Sequence, residues 1–207
     1  MISSKKELKF YIMADMMMNR GKFKWSLKDR IKHIFLPDII MQYLKSMRCC
    51  VYYSVPQRIT PPCLFLKAYH GFRFRRLGIK LGFSIGANTL GYGVVLPHYG
   101  TIVVGGSNRI GNYAVLHTST CISDNSKVIG NALYLATGAK MTSPLTLGDN
   151  VSVGANSVVN KSFGPDCMIA GTPAKRIKDA QAWYIRDGEA YANKVKLIEE
   201  LKAKMSI

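Results

Sequence analysis

The stretch 96–106, LPHYGTIVVGG, places a histidine two residues into an apolar run, with glycine close behind. An imidazole is neutral near pH 7 and can take a proton from a hydroxyl. His98 is therefore either a general base held on a rigid scaffold or a core or turn histidine satisfied by its neighbours. His117 follows Leu116 and is the second histidine of this part of the chain, while His33 and His70 fall in helix-like sequence where surface or satisfied roles are expected. The five cysteines (Cys49, Cys50, Cys63, Cys121, Cys167) are odd in number and fit neither a CxxC metal knuckle nor a disulfide framework, which suits reduced thiols in a cytoplasmic protein.

The elements that must position His98 follow from a repeat. Ile129, Leu135, Met141, Leu147, Val153 and Val159 are apolar at a constant step of six, and the pattern persists upstream through Leu90, Leu96, Ile102, Ile110, Leu116 and Ile122, with slips of eight after Ile102 and seven after Ile122. Neither a helix nor an isolated hairpin has this period. Short flat strands joined by tight corners do, three strands closing a coil of about 18 residues, with stacked coils burying the aliphatic ladder. Stepping three hexads at a time stacks Leu96, Leu116, Leu135 and Val153. The position two further on then forms a column of His98, Thr118, Thr137 and Ala155, spaced by the ~4.8 Å of neighbouring strands. A column of small side chains leaves a groove for an extended arm. His117 stacks on Pro97, and strand alternation points it away from His98 unless a corner intervenes.

The chain divides into a basic α-helical segment (1–80), the repeat domain (81–178) and a helical tail (179–207). Of 29 basic and 12 acidic residues, 17 and 4 fall in 1–80, a net +13, leaving 12 and 8, or +4, for the remainder. Such a field attracts phosphate-bearing partners without choosing among them. Residues 27–50 read as amphipathic helix interrupted at Pro37, RITPPC (58–63) as a break, and Val195, Ile198, Leu201 and Met205 lie at helical spacing. No apolar run reaches ~20 residues and the N-terminus lacks the apolar core of a signal peptide, so a soluble protein is expected, with peripheral membrane contact through the basic segment.

GYGVVLPHYGTIVVGGSNRIGNYAVL (91–116), LGDNVSVGANSVV (147–159) and AGTPAKRI (170–177) resemble the hexapeptide-repeat acyltransferases, whose nearest branch includes serine acetyltransferase and its relatives of bacterial surface-polysaccharide synthesis. The resemblance implies a mainly β fold, a left-handed parallel β-helix with flanking helices, assembled as a homotrimer that binds acetyl-CoA between subunits. It implies His98 as base, and Thr118, Thr137, Gly138 and Ala155 along the pantetheine arm. Lys140, Lys161, Thr172, Lys175 and Arg176 would lie toward the coenzyme's phosphates. His117, Asp15, Ser84 and Tyr99 are candidate acceptor contacts.

Three positions depart from the serine enzyme. Pro97 replaces the aspartate before the histidine, CISDNSKVIG (121–130) lacks the Arg-His pair of a longer loop, and Ser84 stands about where an orienting aspartate is expected. The expected activity is therefore acetyl-CoA-dependent O-acetylation of a sugar hydroxyl in capsule, exopolysaccharide or O-antigen synthesis, on a glycan or lipid-linked acceptor, with L-serine O-acetylation as the alternative. A zinc-dependent carbonic-anhydrase-type β-helix needs about three histidines. The repeat offers two, so no metal is expected, and a nucleic-acid-binding module is the least economical reading.

Overall fold

The structure, a computed structural model, describes residues 2–55, 58 and 60–207; Ile59, within the break expected at 58–63, lies outside them. Four helices precede the repeat: α1 (Lys5–Arg20), α2 (Leu27–Phe35), α3 (Ile39–Tyr53) and α4 (Pro61–Leu81). Their ends follow local chemistry. Ser4 with Glu7 and Ser26 with Asp29 form reciprocal capping boxes for α1 and α2, and Asp38 caps α3 through the Met41 N–H. Pro37 separates α2 from α3, as the sequence leads one to expect.

The repeat folds as a parallel β-solenoid whose strands, numbered in chain order, lie on three faces. One face carries β1 (Phe83–Ile85), β2 (Ile102–Val104), β5 (Thr120–Ile122), β8 (Lys140–Met141) and β11 (Val158–Val159). A second carries β4 (Val115–Leu116), β7 (Tyr134–Leu135), β10 (Ser152–Val153), β12 (Cys167–Gly171) and β13 (Ala174–Asp179), the last pair antiparallel. The third carries β3 (Arg109–Ile110), β6 (Val128–Ile129) and β9 (Thr146–Leu147). Leu96, Leu116, Leu135, Val153 and Ile169 form one buried ladder, and Ile110, Ile129 and Leu147 another. Each fully buried aliphatic side chain contributes roughly 1.5–3 kcal/mol, so each coil is stable chiefly because its neighbours cover it. At one corner Asn112, Asn131 and Asp149 accept the backbone N–H groups of Tyr92, Asn112 and Asn131, tying each coil to the next.

One register differs from expectation. Ile102 pairs with Thr120 and Val104 with Ile122, so the ladder runs through Val104 rather than Ile102. The upstream register is kept, with Val95 opposite Val115. The two extra residues of this coil consequently lie between Leu96 and Ile102, in the corner that carries His98, and not after Ile102. Ile102, Val103 and Val104 are all aliphatic, which is why either step satisfies the sequence pattern.

The solenoid is braced from both ends of the chain. On α1, Asn19 donates to the Val94 carbonyl (2.7 Å) and accepts from the Leu96 N–H (3.2 Å). After β13 come α5 (Trp183–Arg186) and α6 (Glu189–Lys204). Tyr92 and Tyr113 both donate to the Glu199 carboxylate on α6, and the indole of buried Trp183 donates to the Tyr113 carbonyl (2.7 Å). Among the described residues no helix is long and apolar enough to cross a membrane.

Candidate active site

His98 stands exposed in the enlarged corner, beside exposed Tyr99. The downstream register places Gly100 over Thr118, where a Cβ on Gly100 would lie 3.1 Å from the Thr118 methyl. His98 and Tyr99 thus belong to the loop that bulges outward at the head of the column. The corners below are tight. The Gly138 N–H donates to the Thr118 carbonyl (3.1 Å) and the Asn156 N–H to the Thr137 carbonyl (2.9 Å). Gly138 adopts φ +77°, which a larger residue adopts only with strain, and a Cβ there would lie 2.0 Å from Asn156 Oδ1 and displace that side chain. Thr118, Thr137 and Ala155 keep the surface of these corners low, with Thr137 and Ala155 exposed.

His117 sits one coil below the bulge, its N–H donating to the Leu135 carbonyl (3.1 Å) and its ring 5.1 Å from that of Tyr134. Burial is the main force holding its pKa below the ordinary imidazole value; the His98 imidazole adds to this, while the Asp187 carboxylate opposes it. His117 follows Leu116, which lies one coil below Leu96 and the enlarged corner that carries His98. Arg186 lies 4.5 Å over the Tyr134 ring, donates to Ser152 Oγ (3.1 Å) and pairs with Asp187 (2.6 Å). The resulting surface joins the His117 imidazole, a phenol, a guanidinium and a carboxylate. Tyr134, Arg186 and Asp187 carry no signal in the sequence, because only the return of α5 over β7 and β10 brings them to His117.

The other candidates separate by place. Lys140 is exposed on β8 with its ammonium on the Gly138 carbonyl (3.0 Å), and Thr172 reaches the Asn156 carbonyl (3.4 Å), so both border the column. Exposed Lys161 lies over the Phe163 ring (5.5 Å), Lys175 is exposed on β13, and Arg176 is paired with Asp179 (2.7 Å). Ser84 is exposed on β1, opposite Val103.

Asp15 has a different task from the acceptor contact expected of it. It is fully buried, forms a two-pronged ion pair with Arg48 (2.8 and 3.1 Å) and accepts the Val94 N–H (3.1 Å). Burial dominates its titration and pushes the carboxyl pKa upward, against the pull of Arg48 and the backbone donors. Arg48 also donates to the Leu90 and Gly91 carbonyls (2.7 and 2.6 Å). The pair fixes the backbone before the His98 corner and leaves no carboxylate oxygen for a substrate. Among the described residues no group of three or more His, Cys, Asp or Glu side chains is placed to hold a metal ion.

No family model matches the chain. It is 28% identical over 95 residues to the serine acetyltransferase of Synechococcus elongatus, covering 42% of this chain and 39% of that protein. To the serine acetyltransferase of Buchnera aphidicola subsp. Schizaphis graminum it is 28% identical over 159 residues, covering 72% and 58%. These alignments show what the chain is similar to, serine acetyltransferases, over the repeat and, in the second case, part of the helical segment. A solved serine acetyltransferase in complex with CoA superposes with a TM-score of 0.61 at 18% identity, over 83% of this chain and 69% of that one, a likeness of fold. The chain spans between about two fifths and three fifths of the curated relatives' length. The expected sugar acceptor of polysaccharide synthesis is overturned by these relatives, which are serine acetyltransferases. The departures at Pro97 and in 121–130 remain, while Arg186 and Asp187, which the C-terminal segment brings beside Tyr134, could not be read from the sequence.

Proposed function

We propose that the protein is an acetyl-CoA-dependent O-acetyltransferase acting on the hydroxyl of L-serine. The observation that carries the reading is the placement of His98, exposed on a two-residue bulge at the head of a column of small side chains. The curated relatives and the solved CoA complex support the donor and the acceptor.

In this reading the pantetheine arm lies along Thr118, Thr137, Gly138 and Ala155, with Lys140, Lys161, Thr172, Lys175 and Arg176 toward the phosphates. In its neutral form His98 accepts the hydroxyl proton as the serine oxygen attacks the thioester carbonyl. The tetrahedral intermediate then collapses, breaking the carbon–sulfur bond, and the departing thiolate takes the proton from the imidazolium. Arg186 and Asp187, joined to each other by a two-pronged pair (2.6 and 3.1 Å) at the surface, would have to exchange that pairing for the carboxylate and ammonium of a free amino acid. They take the place of the aspartate and the Arg-His pair that the chain lacks. A trimer in the cytoplasm, its coenzyme arm lying between subunits, completes the proposal.

The test is release of free CoA thiol from acetyl-CoA by the purified protein. Release that depends on L-serine, with O-acetylserine as product, is expected. Protein that binds acetyl-CoA but releases no more CoA with L-serine than without it would overturn the acceptor assignment.

A further inference from the structure

α2 is turned inside out. Its polar flank faces the protein, Asp29 pairing with Lys22 (2.8 Å) and His33 lying against the Trp25 ring (4.3 Å), while not one of its nine residues is buried. Leu27, Ile34 and Phe35 are 75%, 75% and 80% exposed, and with exposed Ile31 they occupy an arc of about 100° on the helix, as positions i, i+4, i+7 and i+8 must. Exposed Arg30 borders this arc on one side, and exposed Lys28 and Lys32 border it on the other. A nine-residue helix has little stability of its own in water, and this one buries nothing to supply it. α4 repeats the arrangement. Phe65 and Phe72 are 71% and 67% exposed, Tyr69 lies between them, and Lys67, Arg75, Arg76 and Lys80 are exposed on the same helix. A cavity of about 710 Å³ joins the two helices, lined by Arg30 and Ile34 of α2, Tyr69 and Arg73 of α4, and Lys24 and Lys45.

We propose that α2 and α4 form a docking face for an anionic lipid bilayer. Leu27, Ile31, Ile34, Phe35, Phe65 and Phe72 would enter the interface, and the flanking lysines and arginines would reach the phosphates. Charge decides between a bilayer and a second copy of the chain. Residues 39–80 contain no acidic side chain, and Asp29 and Asp38 are already paired with Lys22 and Arg20. A copy of this face would set cations against cations, whereas an anionic membrane is complementary to it. The proposal is independent of the acceptor assigned above.

Vesicle co-sedimentation of the full chain tests it. At low salt, wild-type protein should partition onto phosphatidylcholine vesicles containing phosphatidylglycerol at least about tenfold more strongly than onto phosphatidylcholine alone, and high salt should weaken this. The triple variant Ile31→Ser/Ile34→Ser/Phe35→Ser should lose that advantage with an unchanged circular dichroism spectrum. Should it fail to fold, Phe65→Ser/Phe72→Ser asks the same question of α4. Absent binding to anionic vesicles, or equal binding by wild type and a folded variant, overturns the proposal. So does a wild-type assembly, seen by light scattering, that the substitutions dissociate without any effect on vesicles; a second copy would then own the face.

Discussion

Replacing His98 by alanine removes the proposed base but none of the side chains that line the coenzyme column. The expected result is a loss of about 10²–10⁴ in kcat, the usual contribution of general base catalysis, with acetyl-CoA affinity unchanged by titration calorimetry. Activity near the wild-type level would mean that another group takes the proton. His117 gives an independent measure of the same corner. Burial and the adjacent His98 both hold its pKa below the ordinary value of about 6.5, so the native chain keeps this imidazole neutral where the unfolded chain charges. Stability from this group is therefore complete above the unfolded value and is lost as pH falls from there through the native value. NMR titration of the ring protons should find the His117 midpoint below 6.5 in the wild type, and higher, though still depressed by burial, in His98→Ala. A midpoint that does not move would show that the two rings do not interact.

At the scale of elements, α1 is attached to the corner through its buried side chains. Asp15 meets Arg48 and the Val94 N–H, and Asn19 holds Val94 and Leu96, two residues before His98. Asp15→Ala leaves the Arg48 guanidinium buried without its counter-ion, a loss of about 3–5 kcal/mol that thermal unfolding would report. A variant within about 1 kcal/mol of wild type would mean that water or another group replaces the carboxylate. The same elements explain what was legible in the sequence. The solenoid was, because Leu135, Met141, Leu147, Val153 and Val159 each bury one side chain per short strand and the period survives any change of detail. The break at Pro37 was legible for the same kind of local reason. The exact site of the two-residue slip was not, since Ile102 and Val104 are equally apolar and only strand pairing chooses between them. Asp15 was noticed but misassigned. Its partner is 33 residues away on α3, and nothing local separates a surface carboxylate from a buried ion pair. The inverted amphipathicity of α2 was also invisible, because a pattern identifies an apolar face and not the direction in which it points.

For the whole molecule, the decisive relation is between the ends of the chain and the coils. Residues after β13 return over β7 and β10, where Trp183 is buried against Tyr191 and donates to the Tyr113 carbonyl, and α6 clamps Tyr92 and Tyr113 through Glu199. Arg186 and Asp187 follow directly and reach Tyr134 and His117 only because this segment is docked. Fold stability and the proposed acceptor edge of the site are consequently one problem, whereas the proposed coenzyme column, built from corners of the solenoid itself, is separate from it. Trp183→Ala should test that division. Removing a fully buried indole costs about 3–5 kcal/mol, which unfolding measurements would detect. The loosened α5 should raise KM for L-serine several-fold while KM for acetyl-CoA changes little. Equal increases in both constants would show that the column depends on the C-terminal segment too, and an unchanged serine KM would place Arg186 and Asp187 outside the acceptor site.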